Sequence, residues 1–137
     1  MIIDAKNVIL GRLGTLAAKK ALQGEEIMIV NADQAIVTGS WENILAKYKH
    51  KLHRGHPYKG PFVYRREDMF VKRSIRGMLP WDRERGKVAY KRIKCFIGVP
   101  EEMKEKKQEM IEVPTGKTKS LKYVTVKEIC NAIGRKE

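Results

Sequence analysis

Four consecutive apolar residues, Ile27-Met28-Ile29-Val30, stand between Glu25-Glu26 and Asn31. A run without polar alternation has no face to offer to water. As a strand it needs cover on both sides, the condition of a parallel sheet with other elements packed on it. Shorter runs at Met1-Ile2-Ile3, Ala35-Ile36-Val37 and Cys95-Phe96-Ile97 read as further strands of the same kind. Between them the apolar period becomes helical. Leu10, Leu13, Ala17 and Ala21 recur on one face, flanked by Leu16 and Leu22 and stopped at Gly24. After Ser40 as N-cap, Trp41, Ile44, Leu45, Tyr48 and Leu52 share the next helical face. Glu67 to Arg76 predicts a helix anchored by Met69 and Phe70, broken by Gly77 to Trp81. Arg83 to Lys94 reads as a helix or helix–strand with Val88, Ala89 and Ile93 inward. Pro100, with Glu101 and Glu102 at the positive end of the dipole, opens a helix expected to run through Met110. Pro114-Thr115-Gly116 reads as a turn, followed by a polar, basic stretch from Lys117 to Lys122. Thr125 and Glu128 form a capping-box pair ahead of the stripe Val126, Ile129, Cys130 and Ile133, which ends at Gly134. Strands alternating with helices predict an α/β fold with a mostly parallel sheet, and 137 residues suit one domain with a real core.

The charge is distributed very unevenly. Residues 47–94 hold sixteen Lys and Arg against Glu67, Asp68, Asp82 and Glu84, so this third of the chain carries +12 of a net +13. Such a block repels itself, and a polyanion is the simplest partner that relieves it. The 42% apolar content argues for a folded body rather than a basic tail. The basic residues are interleaved with loop punctuation instead of lying along one amphipathic helix, which favours nucleic acid over a membrane surface. The absence of a signal-like or membrane-length apolar run, with only Cys95 and Cys130, leads us to expect a soluble intracellular protein with reduced, core-embedded thiols.

Three motifs invite sharper readings. Gly11-Arg12-Leu13-Gly14 precedes a helical pattern and could seat a phosphate, which would suit an enzyme acting on a nucleotide or RNA. It lacks both the third glycine of a dinucleotide fingerprint and the Lys-Ser/Thr of a P-loop, so a helix-start turn is the plainer reading. His50, His53 and His56 are spaced three apart, but Gly55 and Pro57 interrupt any helix and the surrounding cations oppose a metal. Contacts to phosphates or bases suit them better. No catalytic constellation emerges: Ser40, Ser74 and Ser120 lie in no nucleophile elbow. A DNA-binding role finds no recognition-helix or dimer signature. No cofactor and no small-molecule substrate are expected. The basic stretch mixes its cations with Tyr58, Tyr64, Phe70, Trp81 and Tyr90, a composition that binds phosphate and stacks unpaired bases.

Several segments resemble the large-subunit ribosomal protein L13 family. They are Asn31-Ala32, Arg54-Gly55, Gly60-Pro61, Arg76-Gly77-Met78-Leu79-Pro80, Arg85-Gly86 and Arg92-Ile93-Lys94. Gly98-Val99-Pro100 is similar to the archaeal and eukaryotic branch. The match runs from about Met1 to Pro100. The resemblance implies a three-layer α/β/α fold with about four parallel strands, and a structural protein of the cytoplasmic ribosome without enzyme activity. It implies direct, early binding to large-subunit rRNA, with neighbouring ribosomal proteins as partners and no membrane. Within that expectation, Arg54, Lys59, Arg65, Arg66, Lys72, Arg73, Arg76, Arg83, Arg85, Lys91 and Arg92 are the candidates for phosphate contacts. His56, Tyr58 and Trp81 are the candidates for stacking or shape contacts.

Overall fold

Strand β2, Ile27–Val30, lies inside a four-stranded parallel sheet, between β1 (Ile2–Asp4) and β4 (Ile93–Cys95). On its other side β1 pairs with β5 (Met110–Glu112), giving the order β4-β2-β1-β5. The computed structural model describes residues 1–104, 110–112 and 122–134. β2 shows why its sequence does not alternate. Ile27 and Ile29 face the main core together with Ile3 and Ile93, while Met28 and Val30 face a second cluster with Ile2, Met103, Phe96 and Val99. Both faces are covered, so an apolar side chain is retained at every position.

The helices are α1 (Leu10–Leu22), α2 (Trp41–His53), α3 (Glu67–Arg76), α4 (Glu84–Lys91), α5 (Glu101–Lys104) and α6 (Val126–Ala132). α1 packs on α3 and α4, and its Leu10, Leu13, Ala17, Ala18 and Ala21 are buried in the main core. α3 contributes Phe70, Val71 and Ile75, and α6 contributes Val126, Ile129 and Cys130. The opposite face of the sheet is covered, among the described residues, by the short α5 through Met103 and by the segment after β4.

The carboxyl ends of three strands are tied together at Asn31. Asn31 sits in the left-handed region at φ 54°, a conformation asparagine tolerates better than most residues. Its N–H donates to the Gly98 carbonyl at 2.9 Å, and its Nδ2 donates to Asp4 Oδ1 at 2.9 Å. The Ala32 N–H donates to the Phe96 carbonyl, and the Gly98 N–H donates to Asp33 Oδ1. At the other end of the chain the capping box of α6 is complete. Thr125 Oγ1 accepts from the Glu128 N–H, and Glu128 Oε2 accepts from the Thr125 N–H at 2.8 Å. Such a cap is worth ~1 kcal/mol. The stripe Val126, Ile129, Cys130 and Ile133 is buried as its spacing predicts, and Gly134 follows at φ 86°.

Several expectations need correction. Ala35-Ile36-Val37 does not join the parallel sheet: β3 (Ile36–Thr38) pairs antiparallel with β6 (Tyr123–Thr125) in a separate two-stranded sheet. The third run is offset, because β4 is Ile93–Cys95 and Ile97 is exposed. The helix after Pro100 is described only to Lys104, and Met110 opens strand β5 instead of ending that helix. Val88 points outward, and on α2 only Ile44 is fully buried while Trp41 is exposed. In α3 the anchors are Phe70, Val71 and Ile75, with Met69 only half-buried. The expected turn at 114–116 and the basic stretch that follows it lie outside the described residues, apart from Lys122.

Two glycines of similar appearance have opposite roles. Gly86 is buried in the first turn of α4, where a Cβ would lie 2.1 Å from the Pro80 carbonyl oxygen. Gly11 is exposed in α1, and a Cβ there would meet nothing within 4 Å. Gly86→Ala is expected to cost about 2–3 kcal/mol and lower Tm by roughly 10 °C. Gly11→Ala is expected to raise stability by about 0.5–1 kcal/mol, both read by thermal denaturation. Cys130 is buried and Cys95 half-buried. Burial pushes the Cys95 thiol up from 9.0 to about 12, against the opposing pull of Lys72. A raised pKa keeps the thiol protonated, so its neutral form stabilises the fold below about pH 9 and that contribution falls away as pH rises toward 12. A thiol reagent at pH 8 is expected to spare Cys95 in the folded chain and to modify it rapidly in denaturant.

Candidate nucleic-acid interface

The basic stretch 47–94 folds as α2, an irregular loop, α3, a tight turn and α4. Most of its cations are exposed, and among its described cations only Arg66 forms an ion pair, with Asp68 at 3.0 Å. The charge block is thus displayed on the surface rather than neutralised within the fold.

α3 aims the central part of this surface. Phe70, Val71 and Ile75 point into the core, which leaves Lys72, Arg73 and Arg76 on the remaining faces. Lys72 and Arg76 are four apart and share one side of the helix. Each lies over an aromatic ring: Lys72 Nζ is 4.8 Å from the Tyr90 ring centre, and the Arg76 guanidinium carbon is 4.0 Å from that of Trp81. The two rings meet edge to face at 5.2 Å. Trp81 comes from the turn after α3 and Tyr90 from α4, so one cation–aromatic stack ties three elements together. A guanidinium resting on a ring keeps its in-plane N–H donors available for an anion.

Arg73 faces the other way, toward a cleft of about 540 Å³ between α2, α3 and residues 61–64. Lys51 and Arg54 stand on the α2 side, and Tyr48, Phe62, Tyr64 and Phe70 supply aromatic wall. Tyr48 and Phe70 are packed together at 5.1 Å, and Lys51 lies 5.1 Å above the Tyr48 ring centre. The pKa of Lys51 is lowered, first by burial and then by the positive charges of Lys47 and Arg73. Burial raises the pKa of the Tyr48 hydroxyl, with a smaller push from Cys130.

The loop that leads into this cleft is closed by its own backbone. The His56 N–H donates to the Gly60 carbonyl at 3.1 Å, and the Gly60 N–H donates back to the His56 carbonyl at 2.9 Å. Gly55 has φ 86°, and a Cβ there would lie 2.2 Å from the Gly60 carbonyl oxygen. His56 accepts at Nδ1 from the Tyr58 N–H at 3.2 Å, and the two rings lie 5.7 Å apart. Tyr58 is 88% exposed at the tip, beside the exposed Lys59.

The remaining candidates separate by their partners. Arg65 donates from Nη1 to the Gly134 carbonyl at 3.3 Å and so caps the end of α6. Arg92 donates from Nη1 to the Ala21 carbonyl at 3.2 Å, near the end of α1. Arg83, Arg85 and Lys91 are exposed around α4. Charge patterning alone selects Arg54 and Arg73 for the site but misses Lys51, Tyr48 and Phe62. Tyr48 and Lys51 share a face of α2 at i, i+3, and that spacing within a basic helix is the signal that could have found them.

The glycine pair at the start of the chain does not form a phosphate loop. Both residues lie within α1, and Gly14 is buried against Met78, whose Sδ would be 2.8 Å from an added Cβ. Among the described residues no group of three His, Cys, Asp or Glu is placed to hold a metal ion, and no helix is long and apolar enough to cross a membrane.

Comparison with known proteins decides the family. The family model described as Ribosomal protein L13 matches residues 1–102. The chain belongs to the ribosomal protein L13 family. Large ribosomal subunit protein uL13 of Archaeoglobus fulgidus is 43% identical over 135 residues, covering 97% of this chain and 86% of the relative. That of Methanopyrus kandleri is 40% identical over 136 residues with the same coverage. That of Methanococcus maripaludis is 43% identical over 141 residues, covering 99% and 98%. The L13 family is one of structural ribosomal proteins rather than enzymes. The segments that resemble L13 proteins have physical roles in this fold. Asn31-Ala32 with Gly98 ties the strand ends, Met78 fills the notch at Gly14, and Pro80 with Gly86 sets the close approach of α4.

The cation–aromatic stack predicts its own mutational signature. In a Trp41→Phe background that isolates Trp81, Arg76→Ala is expected to change the Trp81 emission and to cost about 0.5–1 kcal/mol of stability. Arg76→Lys is expected to retain part of both. Unchanged emission and Tm in Arg76→Ala would show that the stack does not persist in solution.

Proposed function

We propose that this L13-family chain is a structural constituent of the large ribosomal subunit in the cytoplasm. In this reading it binds large-subunit rRNA directly and early, as a single 137-residue ribosomal-protein domain whose segment 47–94 is the docking face. The relatives named above are large ribosomal subunit proteins. The observation that carries direct RNA binding is the display of the +12 segment, in which Arg66 alone among the described cations forms an ion pair. A surface so arranged is attractive to a phosphate backbone, while the α/β body keeps the cations at fixed separations. Arg54, Lys59, Lys72, Arg73, Arg76, Arg83, Arg85 and Lys91 supply phosphate contacts, and His56, Tyr58 and Trp81 supply shape and stacking. Arg65, Arg66 and Arg92 join them through whatever donors their internal contacts leave free. Neighbouring large-subunit proteins complete the set of partners.

The test is a titration of the full chain against large-subunit rRNA and an unrelated structured RNA of equal length, across a salt series. With about six phosphates neutralised, log affinity should fall with log salt at a slope of roughly −4 to −5. The ribosomal RNA should keep its advantage at high salt. Equal affinities for the two RNAs would reduce the face to a generic polycation. Arg73→Ala with Arg76→Ala is expected to weaken rRNA binding and flatten the slope by about 1–2, with the cooperative thermal transition retained. Loss of that transition would mark the pair as structural.

A further inference from the structure

We infer that the cleft between α2, α3 and residues 61–64 receives a single unpaired nucleotide, its base against the aromatic wall and its phosphate on Lys51, Arg54 and Arg73. This inference rests on the RNA-binding reading above and assigns one site within it. Three features of the cleft support it.

The first is unused stacking surface. Tyr48 and Phe70 are packed on each other, but among the described residues neither Phe62 nor Tyr64 has a ring partner. Phe62 is 73% exposed and Tyr64 42% exposed, although both stand at the rim of a cavity that already contains buried aromatic surface. The Phe62 ring lies close over Gly60, its edge 3.3 Å from where a Cβ on residue 60 would stand, so the glycine leaves room for the ring at the rim. An exposed ring at the rim of an open cleft is a platform for a planar group.

The second is charge without a counter-charge. Lys51, Arg54 and Arg73 line the same cavity, and among the described residues none of them forms an ion pair. Lys47 and Arg73 both act on Lys51 as repelling charges. A phosphodiester placed among them would relieve that repulsion.

The third is the shape of the occupant. The volume of about 540 Å³ falls within the ~300–1,000 Å³ of sites that enclose a small ligand. A base inside a duplex has both faces covered by its neighbours and cannot offer one to Phe62 or Tyr64. A bulged, looped-out or terminal nucleotide carries a free face and an anion on the same short unit. An acidic peptide would meet the cations but would leave the rings unused.

The experiment compares two RNAs on the full chain. One is a short, fully paired stem, and the other is the same stem with a single bulged 4-thiouridine. Fluorescence anisotropy at fixed salt is expected to give about tenfold tighter binding of the bulged stem, and irradiation should cross-link the thiouridine within residues 61–64. Phe62→Ala is expected to remove the preference and Phe62→Trp to retain it. Phe62 is exposed enough for both variants to fold, and Tyr64→Ala serves as a second probe. Equal affinity for the two stems would overturn the cleft assignment and leave general RNA binding standing. So would a preference insensitive to both alanine variants, or cross-links confined to α4. Failure to bind either stem at low salt would overturn the RNA reading and the cleft assignment together.

Discussion

The burial of Phe70, Val71 and Ile75 fixes the rest of the basic face. These side chains seat α3 against α1, α6 and β4, so its rotation about its own axis is settled by apolar packing. Once that rotation is set, the directions of Lys72, Arg73 and Arg76 follow from helical geometry alone. Lys72 and Arg76 come down on the rings of Tyr90 and Trp81, and Arg73 turns toward the cleft. The positions of Lys72, Arg73 and Arg76 are therefore governed by buried neighbours on the same helix, and a core change in α3 would act on the surface as surely as a change of an arginine.

The same logic explains the turn from Arg76 to Gly86. Leu79 is buried, Met78 occupies the notch over Gly14, and the Pro80 carbonyl lies where any side chain on residue 86 would have to stand. Two glycines and one flexible thioether thus permit α1, α3 and α4 to approach closely. What looks like a signature motif is a packing solution, and the Arg76–Trp81 contact is built upon it.

Where local chemistry decided the outcome, the sequence could be read closely. Ile27–Val30 forms the expected buried strand, Glu67–Arg76 forms the expected helix, and the Thr125–Glu128 box caps α6 with both of its hydrogen bonds. Where the outcome depended on a distant partner, the reading failed. Ile36–Thr38 is apolar enough for a parallel sheet, but its partner is Tyr123–Thr125 and runs antiparallel. Met110–Glu112 has no strand signature of its own, and its register is supplied by Ile2–Asp4. Helical spacing set Trp41 and Val88 inward, but both are exposed, because spacing alone does not show how far a neighbouring element covers a face. The cleft was hidden for the same reason: its cations and rings come from α2, the loop and α3, and only the fold brings Tyr48, Phe62 and Arg73 to one place.

The loop from Gly55 to Gly60 is closed on itself by two backbone hydrogen bonds, with glycine at both positions where the chain turns left-handed. Tyr58 and Lys59 stand exposed at its tip, beyond a base whose backbone polar groups bond to one another. A side chain on residue 55 would have to stand 2.2 Å from the Gly60 carbonyl oxygen and would part this closure. The display of an aromatic ring and an amine at the tip thus rests on a residue at the base that has no side chain at all.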